Sequence, residues 1–297
     1  MWSALKYIRY SRYQPHFLNI TLEISMRNYS IAPQEIFLSL WHHRSLIASM
    51  IRREVSGRYR GSVMGLLWSF FNPLFMLAVY TFVFGVVFKA RWGDSSGSRL
   101  EFALILFAGL IVFNFFAECL NRAPTLILSN VNYVKRVVFP LEILPWVSLG
   151  ATLFHALISL AVWLVAHLII FKTVYLSTLL LPLIWIPLLL FTMGLSWALA
   201  SLGVYLRDVP HIVGILTTVL MFLSPIFYSA NMLPESYQRW LLLNPLNPII
   251  EQTRNALLEG KMPDPIVLTI ATLVASVICW LGFVWFQKSR KGFADVL

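Results

Sequence analysis

Charge is scarce in this sequence. Asp, Glu, Lys and Arg make up 12% of the residues and hydrophobic types 59%, against roughly 25% charged for a soluble domain. A water-soluble fold could not hide that much apolar surface. Cysteine is scarcer still: Cys119 and Cys279 stand far apart and without a close partner, which excludes a disulfide framework and a zinc site. A phosphate-cradling Gly-x-x-x-x-Gly-Lys-Ser/Thr loop is missing too. Gly260-Lys261 is followed by Met262 and lacks the earlier glycine, so the chain is not expected to be its own ATPase. The six histidines, His155 and His167 among them, show neither metal spacing nor a Ser/His/Asp arrangement. No catalytic residue, metal or cofactor is therefore expected in this chain. The apolar runs also lack the Asp, Glu or Lys series of a proton- or sodium-coupled carrier, so energy must come from elsewhere.

What is present is a set of long uncharged runs, each long enough to cross ~30 Å of hydrocarbon at ~1.5 Å per residue. The expected fold is all-α, a polytopic membrane protein with six spans: Val63 to Phe88, Phe102 to Leu120, Ile143 to Phe171, Val174 to Leu206, His211 to Tyr228 and Ile266 to Phe286. Glu118 is the lone charge within them, four positions before Arg122, an order that favours an end-of-helix ion pair. Most of the 23 Lys and Arg fall before the first span, in Asn121 to Glu142, at Arg207 and after Phe286. Cytoplasmic loops are enriched in these residues, so both termini are expected in the cytoplasm. Met1 to Ser30 has no signal-peptide core. The net charge of +10 then reads as topology and attraction to anionic lipid rather than nucleic-acid binding.

The chain divides into an N-terminal cytoplasmic extension (1–33), an amphipathic interface helix (34–62), a six-helix membrane domain (63–286) with an outer gate segment (229–264), and a cytoplasmic tail (287–297). In the interface helix, Ile36, Phe37, Leu40, Ile47, Met50, Ile51 and Val55 fall within about 140° of one another at helical spacing. Arg44, Arg52, Arg53, Arg58 and Arg60 are its basic residues, suited to the headgroup layer. His43, Arg44 and Glu54 interrupt the apolar face. The gate segment carries Tyr228, Trp240, Asn244, Pro245, Asn247 and Pro248. Its prolines remove backbone donors and would break it into short re-entrant helices on the outer side; the alternative is an ordinary external loop with one surface helix.

Asn130 to Arg136 lies on the expected inner side, bracketed by Pro124 and Pro140. Val131 and Val134 would share a helical face and Tyr133 would anchor in a pocket on a partner. Lys135 and Arg136 would pair at the rim or bind anionic lipid. Tyr80, Trp163, Trp185, Trp197 and Phe222 sit well inside spans. The default role of each is helix packing or a lipid-facing belt; the alternative is a set of aromatic platforms along which a sugar polymer slides.

Four blocks carry a resemblance. They are Arg53 to Trp68 (REVSGRYRGSVMGLLW) running on to Phe84; Tyr133 to Pro145; Tyr205-Leu-Arg-Asp-Val209 followed by Ser224-Pro-Ile-Phe-Tyr228; and Leu243 to Glu251 with Arg254. In this order and layout the chain resembles permeases of type-two ABC exporters, in particular the O-antigen and capsular polysaccharide export branch. The resemblance implies a homodimer with a pore at its axis and two separate ATP-binding cassette subunits that bind ATP and Mg. It also implies an inner-membrane location and a lipid-linked glycan, typically on undecaprenyl pyrophosphate, as cargo. The interface helix and the block around Tyr133 would face the ATPase, and Ser229 to Glu251 would form the outer gate. Rival readings are export of teichoic acid or a lipophilic drug, a polyprenyl-phosphate sugar transferase, or a scaffold. The transferase needs cytoplasmic acidic metal ligands or basic phosphate clamps, and the inner loops offer little: Glu118, Glu142 and Asp208 are isolated.

Overall fold

The computed structural model describes residues 30–87, 99–135, 139–229 and 244–297, together with residues 232, 234, 236, 238 and 241. The interface segment forms two helices, α1 (Pro33–His42) and α2 (Arg44–Arg58), separated by His43. Then come α3 (Trp68–Tyr80), prolonged by a π turn (Thr81–Val87), α4 (Arg99–Arg122), α5 (Ile143–Phe171) and α6 (Leu181–Tyr205). The chain closes with α7 (Val209–Leu223), α8 (Leu246–Arg254) and α9 (Pro265–Ser289). No strand occurs among the described residues.

Helix starts follow local chemistry. Pro33, Pro182, Pro210 and Pro265 occupy first-turn positions, where a missing N–H costs nothing. Asp264 caps α9 by accepting from the amides of Ile266 and Val267 at 2.8 and 3.3 Å. A π turn, Asn255–Glu259, continues α8 until Gly260 ends it at φ 66°, and a Cβ there would also strike the Tyr175 ring.

Five stretches are long and apolar enough to span a bilayer: Gly65–Val87, Leu100–Thr125, Ile143–Phe171, Leu176–Tyr205 and Pro265–Val296. The fifth expected span is shorter than the sequence suggested. It ends at Leu223, because Ser224 and Pro225 leave the helix, and its 15 residues reach only ~22 Å. Helix α4 is the centre of the bundle, buried almost throughout from Phe102 to Leu120, with α3, α5, α6 and α7 packed around it and α9 packed on α6. Glycine sets the closest approaches. A Cβ on Gly282 of α9 would lie 2.0 Å from the carbonyl oxygen of Gly194 on α6, and one on Gly203 would lie 2.0 Å from that of Pro124. Such small-residue contacts let membrane helices approach closely.

The face of α1 and α2 expected to lie against lipid is partly taken up by protein. Ile36, Ile47 and Val55 are buried, and Leu40, Met50 and Ile51 pack beside Ile143 and Val147 of α5. Gly150 of α5 leaves room for Ile51, whose Cδ1 lies 2.3 Å from where a Cβ would sit. Phe37 and Trp41 remain exposed.

Candidate functional site

At the α2 end of the bundle, charged side chains from two helices form a closed set. Glu54 pairs with Arg122, Arg58 pairs with Glu118 at 2.6 Å, and Glu118 lies 3.7 Å from Arg122. Each helix contributes two groups four residues apart, which helical geometry puts on one face. Their partial exposure screens them, so the set fixes where α2 sits on α4 more than it stabilises the fold. Glu54, the acid that interrupts the apolar pattern of α2, thereby gains a reason. Of the other expected basic residues, Arg44 lies 4.9 Å over the Trp41 ring, and Arg52, Arg53 and Arg60 are exposed.

Beyond the ion pairs, a 140 Å³ cavity runs between α3, α4 and α5, with Ser69, Asn72, Asn114, Thr152, His155 and Ser159 in its walls. Polar groups within membrane spans are costly unless they line a cavity or pair with one another; here they converge. A second cavity of 350 Å³ beside Glu54 and Gly57 shares Arg58, Glu118 and His155 with the first. Tyr59, in the wall of the first cavity, lies edge-on to His155, ring centroids 5.8 Å apart. Burial raises the Tyr59 phenol pKa, Arg58 opposing and Glu118 adding to the effect.

The expected coupling segment contains a single helical turn, Val131–Val134. Asn130 donates to the Leu126 carbonyl at 2.8 Å. Tyr133 is turned inward: its ring stacks on Phe139 with centroids 4.2 Å apart and planes within 9°, and it packs with Val134 against the core. Val131 is half-buried and Lys135 exposed; Arg136 lies outside the described residues. Sequence reasoning missed what holds this region. Arg290, beyond α9, donates to Glu142 at 2.5 Å and to the Phe139 carbonyl at 3.1 Å, and the Trp197 indole donates to the Glu142 carbonyl at 3.1 Å. The one signal was an acid, Glu142, standing at the edge of an apolar run.

Three of the five expected path aromatics belong to the chain's own core. Trp163 and Trp197 are fully buried and Trp185 nearly so. Their indole N–H groups are taken up by the Leu104 carbonyl, the Glu142 carbonyl and the Thr253 hydroxyl, which is helix packing, the default role. Tyr80 is half-buried near Phe107, and Phe222 is 61% exposed. Phe222 ends a row that sequence reasoning did not assemble: Phe102, Phe84, Phe227 and Phe222 follow one another with centroids about 6 Å apart.

At the opposite end, α8 is an inserted helix rather than a surface one, with Leu246, Ile249 and Ile250 buried. Pro245 and Pro248 begin it instead of ending one, since neither position needs an intrahelical donor. Asn244 accepts from the Leu246 amide at 3.0 Å and donates to the Ser224 hydroxyl at 2.8 Å. Asn247 donates to the Leu241 carbonyl at 3.4 Å, and Tyr228 to the Phe222 carbonyl at 3.3 Å. Trp240 lies outside the described residues. Arg254 fastens the helix: buried to 8% exposure, it donates to the carbonyls of Ile105, Pro225 and Ile226 at 3.0, 2.5 and 2.8 Å. Burial lowers its pKa to about 9, Glu251 opposing, so it remains a cation at neutral pH. Gly109 is required beside it, since a Cβ there would lie 2.5 Å from Nη2. Among the described residues no cluster of His, Cys, Asp or Glu could hold a metal ion.

The chain is 28% identical over 258 residues to the O-antigen export system permease protein RfbA of Myxococcus xanthus, covering 86% of this chain and 96% of that protein. The Klebsiella pneumoniae protein of the same name is 25% identical, with 85% and 95% covered. The polysialic acid transport protein KpsM of Escherichia coli is 25% identical, with 82% and 93% covered. A family model described as ABC-2 type transporter matches residues 45–258, from within α2 to the π turn after α8; the chain belongs to the ABC-2 type transporter family.

Proposed function

We propose that this chain is the membrane-spanning subunit of an ABC exporter that moves lipid-linked polysaccharide, of O-antigen or capsule type, across the inner membrane. The observation that carries the reading is near-complete coverage of relatives named as O-antigen export system permeases and as a polysialic acid transport protein. In this reading two copies surround a pore, and two separate subunits bind and hydrolyse ATP on the side of α1, α2 and both termini. The cargo is a glycan on a polyprenyl carrier such as undecaprenyl pyrophosphate.

Helix α7, together with the non-helical stretch from Ser224 to Ser229, makes a sixth crossing. The exposed apolar residues of α3 and α7, among them Phe70, Leu74, Val79, Ile215 and Val219, supply the faces that meet a second copy or lipid. Helices α1 and α2 are the interface helix, and Glu54, Arg58, Glu118 and Arg122 pass its movement to α4. Asn130 to Arg136 receives the ATPase stroke. The polar cavities at Asn72, Asn114 and His155 take the hydrophilic end of the cargo into the membrane. Phe222, the exposed end of the stacked phenylalanines, faces the sugar path, where a ring stacks on C–H groups without a fixed hydrogen-bond pattern. Tyr228 and α8 form the outer gate.

Deleting the gene and locating the lipid-linked glycan tests this reading. Accumulation on the cytoplasmic face supports export. Complete loss of the glycan would instead mark the chain as an enzyme of its synthesis.

A further inference from the structure

The Arg290–Glu142 pair is more enclosed than the ion pairs between α2 and α4. Its side chains are 10% and 14% exposed, whereas those of Glu54, Arg58, Glu118 and Arg122 are 25% to 47% exposed. Both ends stand on a firm base. Glu142 is the N-cap of α5, where the helix dipole favours a carboxylate, and its carbonyl accepts from the Trp197 indole of α6. Arg290 follows α9, which meets α6 closely where Gly282 faces Gly194. The chain beyond Arg290 is packed as well: Phe293 is fully buried, its ring edge-on to Phe286 with centroids 5.6 Å apart. Tyr205 of α6 donates to the Ser289 carbonyl at 2.7 Å.

From this base the guanidinium reaches two groups with two nitrogens. Nη1 donates to Glu142 Oε2 at 2.5 Å and Nη2 to the Phe139 carbonyl at 3.1 Å. Phe139 in turn carries the Tyr133 ring, 4.2 Å away. The segment around Tyr133 has little to hold its own shape. Val131–Val134 is a single helical turn with no side-chain cap, and one turn alone does not persist in water.

We propose that Arg290 is a positioning residue for the coupling segment. By holding Glu142 and the Phe139 carbonyl together it presets the Tyr133 stack, so that a push from the ATPase on Asn130 to Arg136 reaches α6 and α9 instead of being absorbed by local bending. A buried ion pair adds little stability over apolar side chains of similar volume; here it fixes position. The inference rests on the export reading, in which that segment receives the stroke.

The test compares Arg290→Lys, which keeps a charge beside Glu142, with the double variant Arg290→Met, Glu142→Gln, which removes both charges and leaves neither buried alone. Hydrogen exchange on the purified full chain reads the clasp without ATPase or cargo. Amides from Leu126 to Lys135 should exchange about tenfold faster in the double variant, the effect of losing one hydrogen bond to a charged group, with α4 unchanged. In inverted membrane vesicles holding the ATPase subunits, the double variant should hydrolyse ATP at the wild-type rate yet export about tenfold less glycan per ATP, and Arg290→Lys should fall between. Unchanged exchange overturns the proposal, as does wild-type export per ATP in the double variant, or hydrolysis and export falling in proportion. Export by the wild type in the same vesicles checks the underlying reading separately.

Discussion

Replacing Arg254 by Met removes three hydrogen bonds at once while keeping most of the side chain's volume. Hydrogen bonds to a charged group are worth about 1.5 to 3 kcal/mol each, and the carbonyls of Ile105, Pro225 and Ile226 lose a buried donor. Against this, the variant no longer carries the desolvation cost of a buried cation. The balance is a net loss of about 3 kcal/mol, on the order of a 5–10 °C fall in melting temperature for a domain of this size. Gly109→Ala attacks the same contact from the other side, because its methyl would sit 2.5 Å from Nη2 and displace the guanidinium from Ile226. On its own it should cost about 1–2 kcal/mol. With Met at position 254 that clash disappears, so the double variant should be more stable than the sum of the single losses predicts, by about 1 kcal/mol. Heating detergent-solubilised protein and scoring the folded fraction by gel filtration gives the required ranking. Strict additivity, or an Arg254→Met protein that melts with the wild type, would show that the three carbonyl bonds do not hold α8 in place.

Gly282→Ala should prevent stable folding, since its Cβ would lie 2.0 Å from the Gly194 carbonyl, whereas Gly214→Ala, whose nearest neighbour is 4.0 Å away, should express and melt normally. Reversing the Glu54–Arg122 pair tests the link between α2 and α4: Glu54→Arg and Arg122→Glu singly should lower transport-coupled ATPase activity, and together should restore it. If the double variant stays as poor as the singles, pairing is not what matters there. Tyr133→Ala should uncouple ATP hydrolysis from export with insertion unchanged, and Tyr133→Phe, which keeps the stack on Phe139, should behave as wild type. Normal export by Tyr133→Ala would remove this segment from the coupling route.

Long apolar helices were readable because a run such as Ile143 to Phe171 needs nothing but length and composition to declare itself, and the structure has a helix over that stretch. The α7 boundary was less readable. Hydropathy continues through Ile226 and Phe227, while the helix stops at Ser224 and Pro225 for reasons of backbone geometry. Composition cannot tell a ring on a path from a ring in a core, so Trp163 and Trp197 looked like Phe222 until their indole partners on distant helices were known. The same distance problem hid Glu54–Arg122 and Arg290–Glu142, which join positions 68 and 148 residues apart. Arg254 was visible only as part of a motif. Its role as a clamp depends on Gly109, and nothing local to either residue reveals the other.

The most direct test of the export reading uses inverted inner-membrane vesicles from cells that make the glycan, with and without this chain. With the chain present, added ATP should carry lipid-linked glycan into the vesicle lumen, where it becomes resistant to an external glycosidase; without the chain the glycan should be present in equal amount but remain digestible. Protection that needs no ATP, or that persists in vesicles lacking the chain, would contradict the account.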